Sequence, residues 1–176
     1  MKINDLLGLS ASLRQHASLP EMDPLAEVDA LQEAQAVDVR FDALAGIAGI
    51  IFDLRQALQL QEADTGVLVA RGVRELTWTG PSRDTALTAW SIGSSVPRRG
   101  NGFFSLSLMM WPHPGAHLTL TAEGAAFFVG HVPGLSEVPV DYSDRDRGTL
   151  IGEVASWESL FAPVRAVFLD SVLAGD

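Results

Sequence analysis

The chain contains no cysteine. That absence excludes disulfides, thiolate nucleophiles and cysteine-bound metals. Long apolar runs are missing as well: the longest candidate, GIAGIIF, falls far short of the roughly 18 residues that cross a bilayer as a helix. No membrane partner is expected. Lys2 precedes a stretch broken by Asn4, Asp5 and Arg14, which makes a poor secretory signal, so the expected location is cytoplasmic. Basic residues are few: 12 Lys and Arg stand against 22 Asp and Glu, a formal net charge of −10. Such a surface repels a phosphate backbone, which excludes nucleic acid as a partner and favours a basic protein.

What is present describes one globular domain over 1–176, with 47% hydrophobic and 19% charged residues. It divides into a helical N-terminal segment (1–35), an antiparallel sheet (36–131), and a surface connection with a C-terminal element (132–176). Ile3, Leu6, Leu7, Leu9 and Leu13 recur at mostly three- and four-residue intervals, which predicts an amphipathic helix over 3–17 that Pro20 ends. Asp23-Pro24 followed by Leu25, Val28 and Leu31 suits a short acidic helix.

From residue 36 the period changes to two. In VDVRFDALAGIAGIIFDLR (37–55), a turn at Ala45-Gly46 sets Phe41 opposite Ile50, Val39 opposite Phe52 and Val37 opposite Leu54. The same register places Asp38 opposite Asp53 on the outer face, with Arg40 and Arg55 on the diagonals as a charge ladder. Gly72 reads as a bulge, PRRGNG (97–102) as an exposed turn, and FFSLSLMMW as a strand. A second tight turn at Glu123-Gly124 sets Leu120 against Phe127 and Leu118 against Val129. Residues 149–161 suit a helix and 164–170 a strand or helix. The expected fold is therefore α+β: a curved, mostly antiparallel sheet of six to eight strands, an N-terminal helix packed on it, and a C-terminal helix or strand.

VRFDALAGIAGIIFDLRQALQL, TGVLVARGVRELTW and GHVPGLSEVP resemble segments of a family of small uncharacterised bacterial proteins, over most of residues 36–140. The resemblance implies no reaction, cofactor or site residue. As an acidic, cysteine-free α+β chain, the protein is also broadly similar to immunity proteins that neutralise polymorphic bacterial toxins. That likeness implies a protein partner.

Candidate chemistry is sparse. His113 and His117 have a spacing that ligates zinc on a helix, but Pro112, Pro114 and Gly115 oppose a helix there, and the expected hairpin turns His131 to the other face of the sheet. No metal is expected. Asp38 and Asp53 could form a general acid–base pair, yet Arg40 and Arg55 would hold both ionised, so charge pairing explains them better. Asp141, Asp144 and Asp146 lack the order of a calcium loop, and no phosphate-binding loop, zinc-protease or serine-hydrolase motif is present. No catalytic residue and no cofactor are assigned.

Two surfaces remain. Asp38, Arg40, Asp53, Arg55, Asp141, Asp144 and Asp146 form a candidate partner surface; Trp78, Trp90, Trp111 and Phe127 form a candidate pocket lining. The expected function is non-enzymatic protein binding or immunity, with a small-molecule binder or enzyme built on an apolar pocket as the alternative and a structural accessory subunit as a third reading. The sequence carries no signal of oligomeric state.

Overall fold

A computed structural model describes residues 1–8, 19–80, 89–112, 115–139, 142, 150 and 152–169. Their architecture is set by seven strands: β1 (Gln35–Asp42), β2 (Ile47–Asp53), β3 (Thr65–Thr79), β4 (Trp90–Gly100), β5 (Phe103–Trp111), β6 (Ala116–His131) and β7 (Ala162–Leu169). All pairings are antiparallel. The order is β3-β2-β1-β4-β5-β6-β7, and β6 pairs again with β3, from Thr65 opposite Gly130 to Thr79 opposite His117. The first six strands therefore close into a barrel.

Closure is uneven around the ring. β1 meets β4 at Gln35 opposite Ser91 and Ala36 opposite Trp90, a short seam beside the long β3–β6 ladder. One edge of β6 serves two neighbours in turn: β5 as far as Ala122, then β7 from Ala125.

The fold is thus nearly all β, which corrects the α+β expectation. Among the described residues the sole α-helix is α1 (Asp5–Gly8), a single turn; the rest of the expected helix, from residue 9, lies outside them. The expected acidic helix after Asp23 is absent because Asp29 and Glu33 adopt left-handed backbone (φ 61° and 64°), which no right-handed helix continues through. Their segment instead bonds to β4, through Asp29 N–H to Ser95 O (2.7 Å) and Glu33 N–H to Ile92 O (2.9 Å). At the other end of the chain, residues 155–161 bury Ala155, Trp157 and Phe161 from turns and extended backbone, and β7 follows as a strand.

Two hairpins depart from the expected register. Pairing of β1 with β2 runs through Asp42 opposite Ile47 and Phe41 opposite Ala48, so four residues, 43–46, form the connection. Asp42 Oδ1 accepts from the N–H groups of Leu44 (2.9 Å) and Ala45 (3.0 Å), which stabilises that longer turn. That longer turn sets Asp38 opposite Ile51, and a bulge between Ala36 and Asp38 sets Asp53 opposite Gln35, so the two aspartates never face each other. The expected turn at Glu123-Gly124 is absent: β6 runs straight through it.

What the sequence shows there is a change of phase. Ala122 and Ala125 both join the barrel core, as Ala70 does with Val73 packed beside it, so β6 and β3 change inward parity at the same level. Gly72 makes this possible with φ +62°, and a Cβ there would lie 2.6 Å from Glu123 Oε2. Paired kinks of this kind coil a sheet into a barrel. The register shift itself falls between Val73 and Glu75, just beyond Gly72. The turn expected over 97–102 is confined to Asn101-Gly102, both at positive φ as in a two-residue hairpin, because residues 97–100 continue β4.

Side chains fill the barrel, including Ile50, Phe52, Leu68, Leu106, Leu120 and Phe127. A second apolar layer lies outside, where Ile51, Val67, Val69 and Phe128 are covered by Ile3, Leu6, Trp157 and Phe161. Backbone bonds zip this cover together: Ile3 N–H to Ser159 O (3.0 Å) and Asn4 N–H to Trp157 O (2.9 Å).

Candidate functional site

The expected charge ladder separates into two unrelated groups. Asp38 Oδ2 accepts from Trp157 Nε1–H (3.1 Å), while Arg40 donates to Asn4 Oδ1 (2.9 Å) and lies 5.1 Å from the Trp157 ring centroid. These two fasten the outer cover to β1.

Asp53 and Arg55 are buried instead of forming an exposed surface. Arg55 Nε–H reaches both oxygens of Asp53 (2.9 and 3.1 Å), and Nη2 donates to Asp53 Oδ2 (2.6 Å) and Glu153 O (3.0 Å). Nη1 donates to Ser136 O (2.9 Å) and Val138 O (3.3 Å), so every guanidinium N–H has an acceptor. Burial opposes the Arg55 charge, but the hydrogen bonds and charge of Asp53 outweigh it and raise its pKa. Tyr142 completes the cluster by donating to Asp53 Oδ2 (2.5 Å); burial first, then the Asp53 charge, pushes the phenol pKa far up. Asp141, Asp144 and Asp146 lie outside the described residues.

The four aromatics do not line one pocket. Phe127 is wholly buried in the barrel, 5.9 Å from Phe52 between ring centroids. Trp78, 44% exposed, meets Trp90 edge to face at 5.1 Å. Trp111, 45% exposed, follows the inward Met110 and so faces out, lying over Gly93, where a Cβ would be 2.3 Å from its Nε1.

The concave site lies at the barrel end where β2 stops and β3 begins. It is a cleft of about 550 Å³, lined by Leu54, Glu62, Ala63, Asp64, His131 and Leu135 among others. The connecting loop is closed at its base by Leu54 N–H to Asp64 O (2.8 Å) and anchored by the buried Ala57 and Leu60. Asp64 is committed within the fold: Oδ1 accepts from Thr65 Oγ1 (2.7 Å) and Val132 N–H (3.0 Å), and Oδ2 lies 2.9 Å from His131 Nδ1. Glu62 differs. Its Oε1 is buried and, among the described residues, has no hydrogen-bond partner.

Arg55 and Glu137 also line the cleft, but the Arg55 donors are spent on Asp53 and on backbone carbonyls of the wall. Among the described residues, the cleft therefore presents carboxylate with no uncommitted guanidinium or ammonium in its lining. Sequence reasoning considered His131 only as a metal ligand and passed over Glu62 and Asp64, although a Glu-x-Asp at the mouth of a strand was there to be read. His117 sits on the same strand as His131, opposite Met109 and Thr79, and His113 lies outside the described residues. Among the described residues, no three His, Asp or Glu side chains gather as a metal site requires.

Fold and site together define an antiparallel barrel with a packed interior and an acidic cleft at its rim. No family model and no curated protein matches the chain. A crystal structure of an uncharacterized protein from Neisseria gonorrhoeae is similar with a TM-score of 0.41 at 10% identity, over 55% of this chain and 90% of that one. No helix among the described residues is long and apolar enough to cross a membrane.

Proposed function

We propose that the chain is a non-enzymatic binding protein that engages a basic protein partner through the acidic cleft. The observation that carries the reading is the carboxylate lining of the cleft, Glu62, Asp64 and Glu137, beside an Arg55 whose donors are already taken. The net charge of −10 adds attraction at longer range. An immunity-type role, in which the chain caps a basic toxin, is one form of this function.

The test uses the purified chain as bait at low and high salt. A basic protein retained in fixed stoichiometry at low salt and released near 1 M, where the screening length is about 3 Å, is the expected result. Retention of an acidic partner, or retention indifferent to salt, would defeat the reading.

A further inference from the structure

We infer that the chain pairs with a second copy of itself along β1, the two strands running antiparallel about Val39. β1 meets β4 only at Gln35 and Ala36, so among the described residues 37–42 have a neighbouring strand on the β2 side alone. Exposure follows. Residues 39–42 are all exposed, whereas residues 48–53 of β2, the other arm of the hairpin, are all buried. Val39 and Phe41 are 40% and 50% exposed, and Leu44 in the connection beyond is fully so. An open edge that carries large apolar side chains is a template for another strand.

The charges on that edge decide which strand fits. Residues 37–41 read Val, Asp, Val, Arg, Phe, and pairing this run with itself about Val39 sets Asp38 opposite Arg40 of the second copy twice over. Val39 then meets Val39, and Val37 meets Phe41. Centring on Arg40 instead would oppose Arg40 to Arg40 and Asp38 to Asp42, like charges that destabilise a ladder. Centring on Phe41 matches charges too, but it runs the ladder into the connection at 43–46 and leaves only 40–42 to pair. The second copy carries the complementary pattern by construction, as a two-fold contact requires. Both charged side chains are held beforehand: Asp38 accepts from Val39 N–H (2.9 Å) and Trp157 Nε1–H (3.1 Å), and Arg40 donates to Asn4 Oδ1 (2.9 Å). A carboxylate has about four acceptor sites and a guanidinium five donors, so each has capacity for a further contact. The ladder lies toward the Asp42 end of β1, away from the cleft near Asp53, so pairing is independent of the function proposed above.

The experiment is sedimentation velocity of the full chain from about 1 µM to about 1 mM, where a monomer that becomes a dimer is expected. Arg40→Glu and Asp38→Lys each oppose like charges at both pairs, so each alone is expected to dimerise about tenfold or more weakly. Mixing the two variants opposes unlike charges again and is expected to restore the dimer. The absence of cysteine allows a second test, free of those charges. Under mild oxidation Val39→Cys is expected to form a disulfide-linked dimer, because directly opposed Cβ atoms lie about 4.5–5.5 Å apart, whereas Phe41→Cys, which faces Val37, stays monomeric. Should a charge variant fold poorly, this cross-linking decides. A monomer throughout, a dimer that both charge variants leave unchanged, a mixture that does not re-associate, or cross-linking at Phe41→Cys in preference to Val39→Cys overturns the inference.

Discussion

Arg55 Nη2 stands 2.6 Å from Asp53 Oδ2, and both side chains are buried. The pair joins the end of β2 to backbone carbonyls of Ser136, Val138 and Glu153, more than 80 residues away in sequence. Its role is to hold chain segments against the barrel end.

Removing the guanidinium leaves Asp53 charged, buried and short of donors. Arg55→Met is expected to cost about 3–5 kcal/mol in urea unfolding, as breaking buried ion pairs does. Arg55→Lys should recover only a small part, because one ammonium cannot reproduce the planar fork or its five donors.

Tyr142 is the single tyrosine, so its titration can be followed cleanly by tyrosinate absorbance. Its folded pKa lies above the ordinary value of 10.0. The native state therefore retains a proton that the unfolded chain gives up, and stability falls as pH rises above about 10. Below that value the contribution is complete. Tyrosinate should appear together with unfolding and not before it, and Tyr142→Phe should flatten the alkaline limb while removing a hydrogen bond to a charged group, worth roughly 1.5–3 kcal/mol.

Gly49 lies beneath the outer cover, where a Cβ would be 2.5 Å from Trp157 Cη2 and 2.8 Å from Leu7 Cδ2. The indole is fully buried and cannot swing aside. Gly49→Ala is expected to destabilise by about 1–3 kcal/mol through overpacking, measured as a lowered melting temperature.

Trp157 itself fills the outer layer and bonds to Asp38. Trp157→Ala should cost about 3–5 kcal/mol. Trp157→Phe keeps most of the volume but leaves Asp38 without the indole donor, so urea unfolding should show a smaller loss.

Legibility varied with how local the deciding physics was. Alternation located most strands between 36 and 131 but left the last one open between strand and helix, and the turn expected over 97–102 narrowed to Asn101-Gly102 because β4 runs on to Gly100. The hairpin at 37–55 kept Val39 and Phe41 on the face of Ile50 and Ala48, but beyond the bulge Ala36 takes that face where Val37 was expected. Its register still shifted, because Asp42 caps a longer turn and a bulge follows Ala36. Even the apolar match misled: Phe41 is 50% exposed, since beyond Ala36 no described residue of β4 pairs with β1.

Glu123-Gly124 shows the limit more sharply. A hairpin and a kink both change the phase of alternation, and only the strand alongside distinguishes them. Here β3 bends with β6 at Gly72 and keeps it one strand. The described start of the expected N-terminal helix shows a related limit: Ile3 and Leu6 do bury themselves, but against Trp157 and Phe161 in a cover made mostly of turns and extended backbone.

The sequence by itself determined an acidic chain without cysteine, its antiparallel strands and much of their inward-facing pattern, since each follows from composition or from neighbours two residues apart. Tertiary structure alone decided that the sheet closes on itself, that Asp53 and Arg55 become a buried clamp, and that Glu62, Asp64 and His131 line one cleft. Those outcomes depend on which distant segments meet, and a periodicity of two is the same whether a strand's partner lies nearby or 60 residues away.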